Sequence, residues 1–259
     1  MSTRFKDNGM TNVNRKLDWK SYHDERSRSY SVRPLLNRRN IEIKRVMWDE
    51  GVVLDQGSEG ACVGFGWMAE LLAAPAQPKQ QPEVSTANKI AQNYYKRAQK
   101  IDEWPGENYE GTSVLAGAKI IKEEGFISSY RWCFSIEDIR DSVISEGPVV
   151  IGVPWRKGMY KTANNGLVQI TGPVVGGHCL TITGYDPAMK IGSGTYEVFR
   201  WRNSWGTEYG INGSGYIKKA DLEKLLAGTG EACVPIGRRE PVFKNKSSAY
   251  LFISRLFNR

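Results

Sequence analysis

Histidine is scarce in this chain of 259 residues: there are two, His23 and His178. Any chemistry that needs an imidazole base has only those candidates. Cysteine is also sparse, at four: Cys62, Cys133, Cys179 and Cys233. A chain of this length needs no disulfide staples, so four free thiols are expected. No stretch approaches the roughly 18 apolar residues that a membrane span needs, which argues against a membrane helix. The opening MSTRFKDNGM lacks the apolar core of a signal peptide. The chain therefore reads as cytoplasmic unless another machine exports it. No internal repeat is visible.

What is present is ordinary in amount and uneven in distribution. Hydrophobic residues make up 40% and charged residues 25%, as in globular proteins. The net charge of +8 sits on the ends. Residues 1–45 hold 12 Lys/Arg against 5 Asp/Glu, and residues 237–259 hold 6 against 1. Residues 46–236 hold 18 against 22. Basic ends of this kind meet acidic partners, nucleic acid or protein, or remain solvated tails. The expected organisation is a basic polar arm over 1–45, a body over 46–236 and a basic tail over 237–259. The tail ends in the amphipathic AYLFISRLFNR, which suits docking on the body, a partner or a membrane surface.

Within the body the hydrophobic period changes. Phe65, Met68, Leu71 and Leu72 recur at helical spacing until Pro75. A Pro/Gln-rich loop over 75–86 precedes Ile90, Ala91, Tyr94, Tyr95 and Ala98, which mark a second helix. Ser113 is placed to cap a third helix, with Gly125 past its end. Ser135 with Asp138 resembles a capping box for a fourth, which Gly147-Pro148 closes. From residue 148 the period is that of strands: Val149 to Val153, Leu180 to Tyr185, Tyr196 to Arg202 and Gly215 to Lys218. The pattern predicts α+β organisation, with a mainly helical half over 46–147 and a mainly β half over 148–236.

Three short segments bear chemistry. Cys62 follows the open run DQGSEGA and begins the first helix, where unpaired N–H groups and the dipole favour a thiolate. A buried structural cysteine is the competing reading of Cys62 taken alone. His178, in VVGGHCLTITGYD, is the one histidine of the body, behind the small Gly176 and Gly177. A lone histidine at a strand end is otherwise structural. Asn203, in RNSWG, is suited to orient an imidazole, with Trp205 covering that bond from water. Cys179 alternates with His178 along a strand and should face the core.

Together and in this order, Gln56 to Cys62, Gly177 to Leu180 and Arg202 to Gly206 resemble the papain family of cysteine peptidases. That family places Cys, His and Asn far apart in sequence and adjacent in the fold. The resemblance covers about Val46 to Ile236. It implies a papain-like fold, with a helical left subdomain packed on a β-barrel-like right subdomain and a cleft between them. It implies catalysis by Cys62, His178 and Asn203, with the Gln56 side-chain amide and the Cys62 N–H as the oxyanion hole. It also implies that Gly111 pairs its backbone with substrate, with Thr112, Gly152, Gly177 and Trp205 lining the cleft. The small residues near Gly111 and Gly152 leave room for a bulky apolar side chain. No cofactor or metal is implied, and the substrate would be a peptide or protein. Glu59 stands where secreted members have a cysteine, as in bacterial and phage members, which would place the chain in a host cytoplasm or virion. Val63 replaces the family's aromatic after the nucleophile. Residues 1–45 do not resemble the family's long helical pro-segment, so zymogen control does not follow from the sequence. An endopeptidase is the leading expectation. The alternatives are a catalytically weak or silent binding module, such as a phage particle component using its basic ends, and the same chemistry on another amide.

Overall fold

The structure is a computed structural model that describes residues 15–22, 25–104 and 110–243. His23 and the amphipathic end of the tail lie outside the described residues. Ahead of the body, α1 (Arg33–Leu36) buries Val32 and Leu36 against the sheet half. Arg33 holds it there through Asp138 and Asp141.

The helical half contains α2 (Cys62–Leu72), α3 (Val84–Ile101) and α4 (Val114–Glu123). Every residue of α2 is buried, so it is a central helix with no polar face. On α3, Ala87, Ala91, Tyr94 and Ala98 form the buried stripe that the helical spacing predicts. Ser113 caps α4 by accepting from the Ala116 amide, and Gly125 follows with φ +78°. Ser135 likewise caps α5 (Ile136–Ser145), accepting from the Asp138 amide. The expected capping box is only half formed. The Asp138 carboxylate turns to the Phe134 amide and to Arg33 instead.

The other half is one antiparallel sheet. Its strands are β1 (Val46–Met47), β2 (Ser129–Trp132), β3 (Val149–Arg156), β4 (Val174–Ile191), β5 (Gly194–Arg202), β6 (Ser214–Lys218) and β7 (Glu231–Ile236). The order is β2-β7-β3-β4-β5-β6, with β1 added on β4. The sheet is open, ending on β2 and β6, where a barrel-like subdomain was expected. Helix α6 (Lys219–Leu226) follows β6 directly and buries Leu222 and Leu225.

The long strand β4 joins the halves. Cys179 belongs to the helical core, whereas Leu180 and Ile182 belong to the sheet core. Thr181 donates to the Gly66 carbonyl at 2.6 Å and ties β4 to α2. The alternation of the pleat thus sends 179 and 181 toward the helices and leaves His178 on the other face. All four cysteines are free thiols.

Candidate active site

Cys62 opens α2, after an Ala61 that offers no side-chain cap. The amides of the first helical turn therefore lack a side-chain cap. His178 lies near the start of β4, and Asn203 follows the end of β5. His178 Nε2 and Asn203 Oδ1 are 2.8 Å apart, both side chains buried. Asn203 Oδ1 also accepts from the Ser204 amide at 2.7 Å, which leaves the carboxamide oxygen turned to the ring. The imidazole is boxed by aromatics, with its centroid 4.9 Å from Trp205 and 4.7 Å from Trp155. Tyr160 stacks on Trp205 at 5.3 Å. His178 Nδ1 is buried and makes no hydrogen bond among the described residues. That nitrogen is the one left free for another group.

Gln56 is buried beside Ser204, the residue after Asn203. Its Oε1 accepts from Ser204 Oγ at 2.6 Å, which fixes the amide. Its Nε2 donates to the Glu59 carbonyl at 2.7 Å and to the Lys16 carbonyl at 3.3 Å. Val63 is fully buried and lies against Gly117 of α4. The missing aromatic therefore falls in the packing of α2 on α4.

Lys16 belongs to residues 15–22, which pair with both halves of the fold and do not stand apart as an arm. The Trp19 amide donates to the Gly177 carbonyl at 3.0 Å, and the Lys20 amide donates to the Thr112 carbonyl at 3.0 Å. The Thr112 amide donates in turn to the Asp18 carbonyl at 3.1 Å. Both bridges, Asp18 with Gly177 and Trp19 with Thr112, are parallel. Arg15 pairs with Asp55 and Lys16 with Glu110. Part of the arm's basic charge thus meets acidic partners on the chain's own cleft rim.

The glycines around the cleft are where this segment presses closest. A Cβ at Gly111 would lie 2.3 Å from the Asp18 carbonyl oxygen, and one at Gly177 would lie 2.3 Å from that of Trp19. A Cβ at Gly152 would lie 2.1 Å from Trp19 Nε1, and one at Gly60 would overlap the Asp18 carboxylate. The bulky side chain that the small residues near Gly152 leave room for is thus the chain's own Trp19.

This occupancy sets the electrostatics. Burial pushes the Cys62 thiol up to about 11, and the backbone of Cys179, Asp18 and Trp19 opposes the rise. Burial draws His178 down to about 4, against the bond to Asn203. With the cleft filled, the thiol and the imidazole are both held neutral. A thiolate–imidazolium pair is not favoured in this state, because both charged forms lose their hydration.

No protein-family model matches the chain, and no curated protein sequence matches it. Solved structures do match. Xylellain, a cysteine protease from Xylella fastidiosa, aligns with TM-score 0.62 and 16% identity over 89% of this chain and all of its own. Procathepsin L 3 of the Tenebrio molitor larval midgut aligns with TM-score 0.51 and 14% identity, covering 85% of this chain and 83% of that one. A structure of the mite allergens Blo t 1 and Der p 1 gives 0.51 and 16%, covering 78% and 73%. The fold is that of the papain-like cysteine peptidases. Within this papain-like fold, three residues of the site escape sequence reading. Trp155, Trp19 and Glu231 take their places from the pairing of β3 with β4 and β7, or from a segment remote in sequence. A lone tryptophan in a polar stretch, WK after KLD, was the one visible sign of Trp19.

Proposed function

We propose that the chain is a cysteine endopeptidase whose cleft is closed by its own residues 15–22. The observation that carries this reading is the occupant of the site. A backbone carbonyl lies on the Gln56 amide, and an extended polypeptide pairs with Thr112 and Gly177 over the Cys62 thiol. The sulfur is buried, but what buries it is a peptide, the chemical class that a peptidase cleft is built to hold.

The segment is held in a way that resists cleavage. The Trp19 amide is taken by the Gly177 carbonyl at 3.0 Å. The Asp18 carbonyl oxygen is turned to the Thr112 amide. Nucleophilic attack needs the opposite presentation, with the carbonyl carbon at the sulfur and its oxygen among the donors.

With the segment displaced, water returns to the thiol and the imidazole and the penalty on their charged forms falls. Cys62 then gives its proton to His178 Nδ1, with Nε2 held by Asn203. The thiolate attacks the peptide carbonyl, and the oxyanion forms on the Gln56 amide and the Cys62 N–H. His178 returns the proton to the leaving amine, and water, deprotonated by His178, cleaves the thioester. Gly111 and Thr112 on one wall and Gly177 on the other take the substrate backbone. Trp205 and Trp155 keep water from the His178–Asn203 bond.

The test uses the full chain with Trp19→Ala, which removes the side chain that anchors the segment. An alkylating peptide-like probe is expected to label Cys62 at least tenfold faster than the other three thiols. Unstructured peptides should be cleaved, and Cys62→Ala in the same background should abolish cleavage. Equal labelling of four thiols, or cleavage that survives Cys62→Ala, overturns the assignment.

A further inference from the structure

The Asn203 carboxamide has two ends, and its oxygen serves only one side of it. Oδ1 faces His178 Nε2 and accepts from the Ser204 amide. Nδ2 points the other way, into a buried space where the Tyr209 hydroxyl is its one partner among the described residues. Trp201 Nε1 of β5 is a second buried donor in the same position. Tyr209 is 4% exposed. Its hydroxyl gives its single proton to the Met159 carbonyl at 3.4 Å, which leaves the oxygen lone pairs to the two donors. Burial raises the Tyr209 phenol, and hydrogen bonds from Trp201 and Asn203 to its oxygen oppose the rise.

A returning loop brings this hydroxyl to Asn203. The Asn203 amide donates to the Gly213 carbonyl at 3.0 Å, and the Gly213 amide donates to the Tyr209 carbonyl at 2.9 Å. Gly213 has φ +84°, a conformation that glycine adopts without strain. The Tyr209 ring meets Trp205 edge-on, with centroids 5.4 Å apart and planes at 89°. Backbone and ring together leave the hydroxyl little freedom to move away.

We propose that Tyr209 is a positioning residue: its hydroxyl holds Nδ2 of Asn203, so that Oδ1 stays on His178 Nε2 and His178 Nδ1 stays free for Cys62. That this serves peptide hydrolysis rests on the peptidase reading above, whereas the hold on His178 does not. Two contacts at Oδ1 alone leave the carboxamide able to pivot about them, and the third, at Nδ2, stops the pivot. Without the hydroxyl, Nδ2 is a buried donor with nothing to bond, a costly state that turning the amide relieves. A neutral imidazole carries one proton, and the acceptor beside Nε2 keeps it there. Once Oδ1 turns away, the proton is no longer confined to Nε2. With the proton on Nδ1, that nitrogen cannot accept from the thiol, and a histidine in the wrong tautomer is a poor base.

The test reads the ring first, without any substrate. The full chain carries His23→Gln, so that His178 is its one histidine, and NMR of the isotope-labelled ring shows which nitrogen holds the proton and how fast that proton exchanges. The reading is taken at pH 7, where burial keeps the ring neutral. Tyr209→Phe keeps the aromatic ring and loses only the hydroxyl. It is expected to speed exchange of the Nε2 proton about tenfold and to admit the Nδ1-protonated form. In the Trp19→Ala chain, the same change should lower kcat on an unstructured peptide about tenfold and leave KM within about twofold. A merely structural tyrosine would lower the urea midpoint and move neither the tautomer nor the proton exchange. Wild-type tautomer and exchange in Tyr209→Phe, or an undiminished kcat, overturns the proposal. A shifted tautomer in a chain that cleaves no peptide would uphold the hold on His178 and sink the peptidase reading.

Discussion

Arg238 and Glu70 show how much one residue can hold. Glu70 lies on α2, the helix that starts with Cys62, and is almost wholly buried. Arg238 Nε donates to its carboxylate at 2.7 Å, and the two terminal nitrogens cap the carbonyls of Glu146 and Pro148. Burial raises the Glu70 carboxyl, and Arg238 opposes the rise. Arg238→Ala leaves that carboxylate alone in the core and should cost about 3–5 kcal/mol near pH 7. The sign with pH follows from the raised folded value. An unpaired Glu70 binds its proton more tightly folded than unfolded, so the loss shrinks as pH falls toward 5 and grows as pH rises. Urea denaturation of both chains at pH 5 and pH 7 measures it, and a deficit equal at both pH values removes the explanation. Legibility divides in the same way. Cys62, His178, Asn203 and Gln56 stand out in the sequence because few side chains supply that chemistry and their neighbours are small. Glu70, Glu231 and Arg238 look like surface charges, because nothing local in a sequence says that a carboxylate will be buried.

At the scale of elements, the site depends on how closely α2 approaches its neighbours. Gly66 faces β4, where a Cβ would lie 2.8 Å from Cys179 Sγ, and Gly64 faces α3, where it would lie 2.2 Å from the Ala91 carbonyl oxygen. Neither glycine has a positive φ, so both are there for space. Gly64→Ala meets backbone and has less room to adjust than Gly66→Ala, which meets a sulfur. Both should destabilise through overpacking by about 1–3 kcal/mol, with Gly64→Ala the worse. Equilibrium urea unfolding ranks them, and equal or negligible losses would show that the helix spacing is looser than described. The helices themselves were readable from apolar spacing and caps, as α4 and α5 show. The short β2 and the closing β7 were not. They pair with each other across about a hundred residues, and β2 is mostly half-buried, so neither carries a clean alternation.

Over the whole molecule, the closed cleft is a protonation balance. Glu231 on β7 faces Trp19 of the closing segment and the Val114 amide of α4, with Glu103 the nearby charge and Cys179 of β4 and Cys233 of its own strand close by. Asp18 faces Glu110, Lys16 and Lys20, with Cys62 beneath it. Burial raises both carboxyls, and for Asp18 the charge of Glu110 adds to the rise. When the segment leaves, both carboxyls regain water and their affinity for protons falls. Closure therefore takes up protons, so it is favoured at low pH and weakened as pH rises toward the Glu231 value of about 8. A single group of this kind changes the closed-to-open ratio by at most about tenfold per pH unit. Trypsin cutting at Arg15, Lys16 and Lys20, normalised to a free peptide of residues 12–24, should accelerate severalfold per unit between pH 6 and pH 8. Glu231→Gln keeps the bond to Trp19 but cannot ionise, and should flatten most of that rise. Cutting that stays level with pH, or slows as pH rises, would mean that proton uptake does not hold the segment in place.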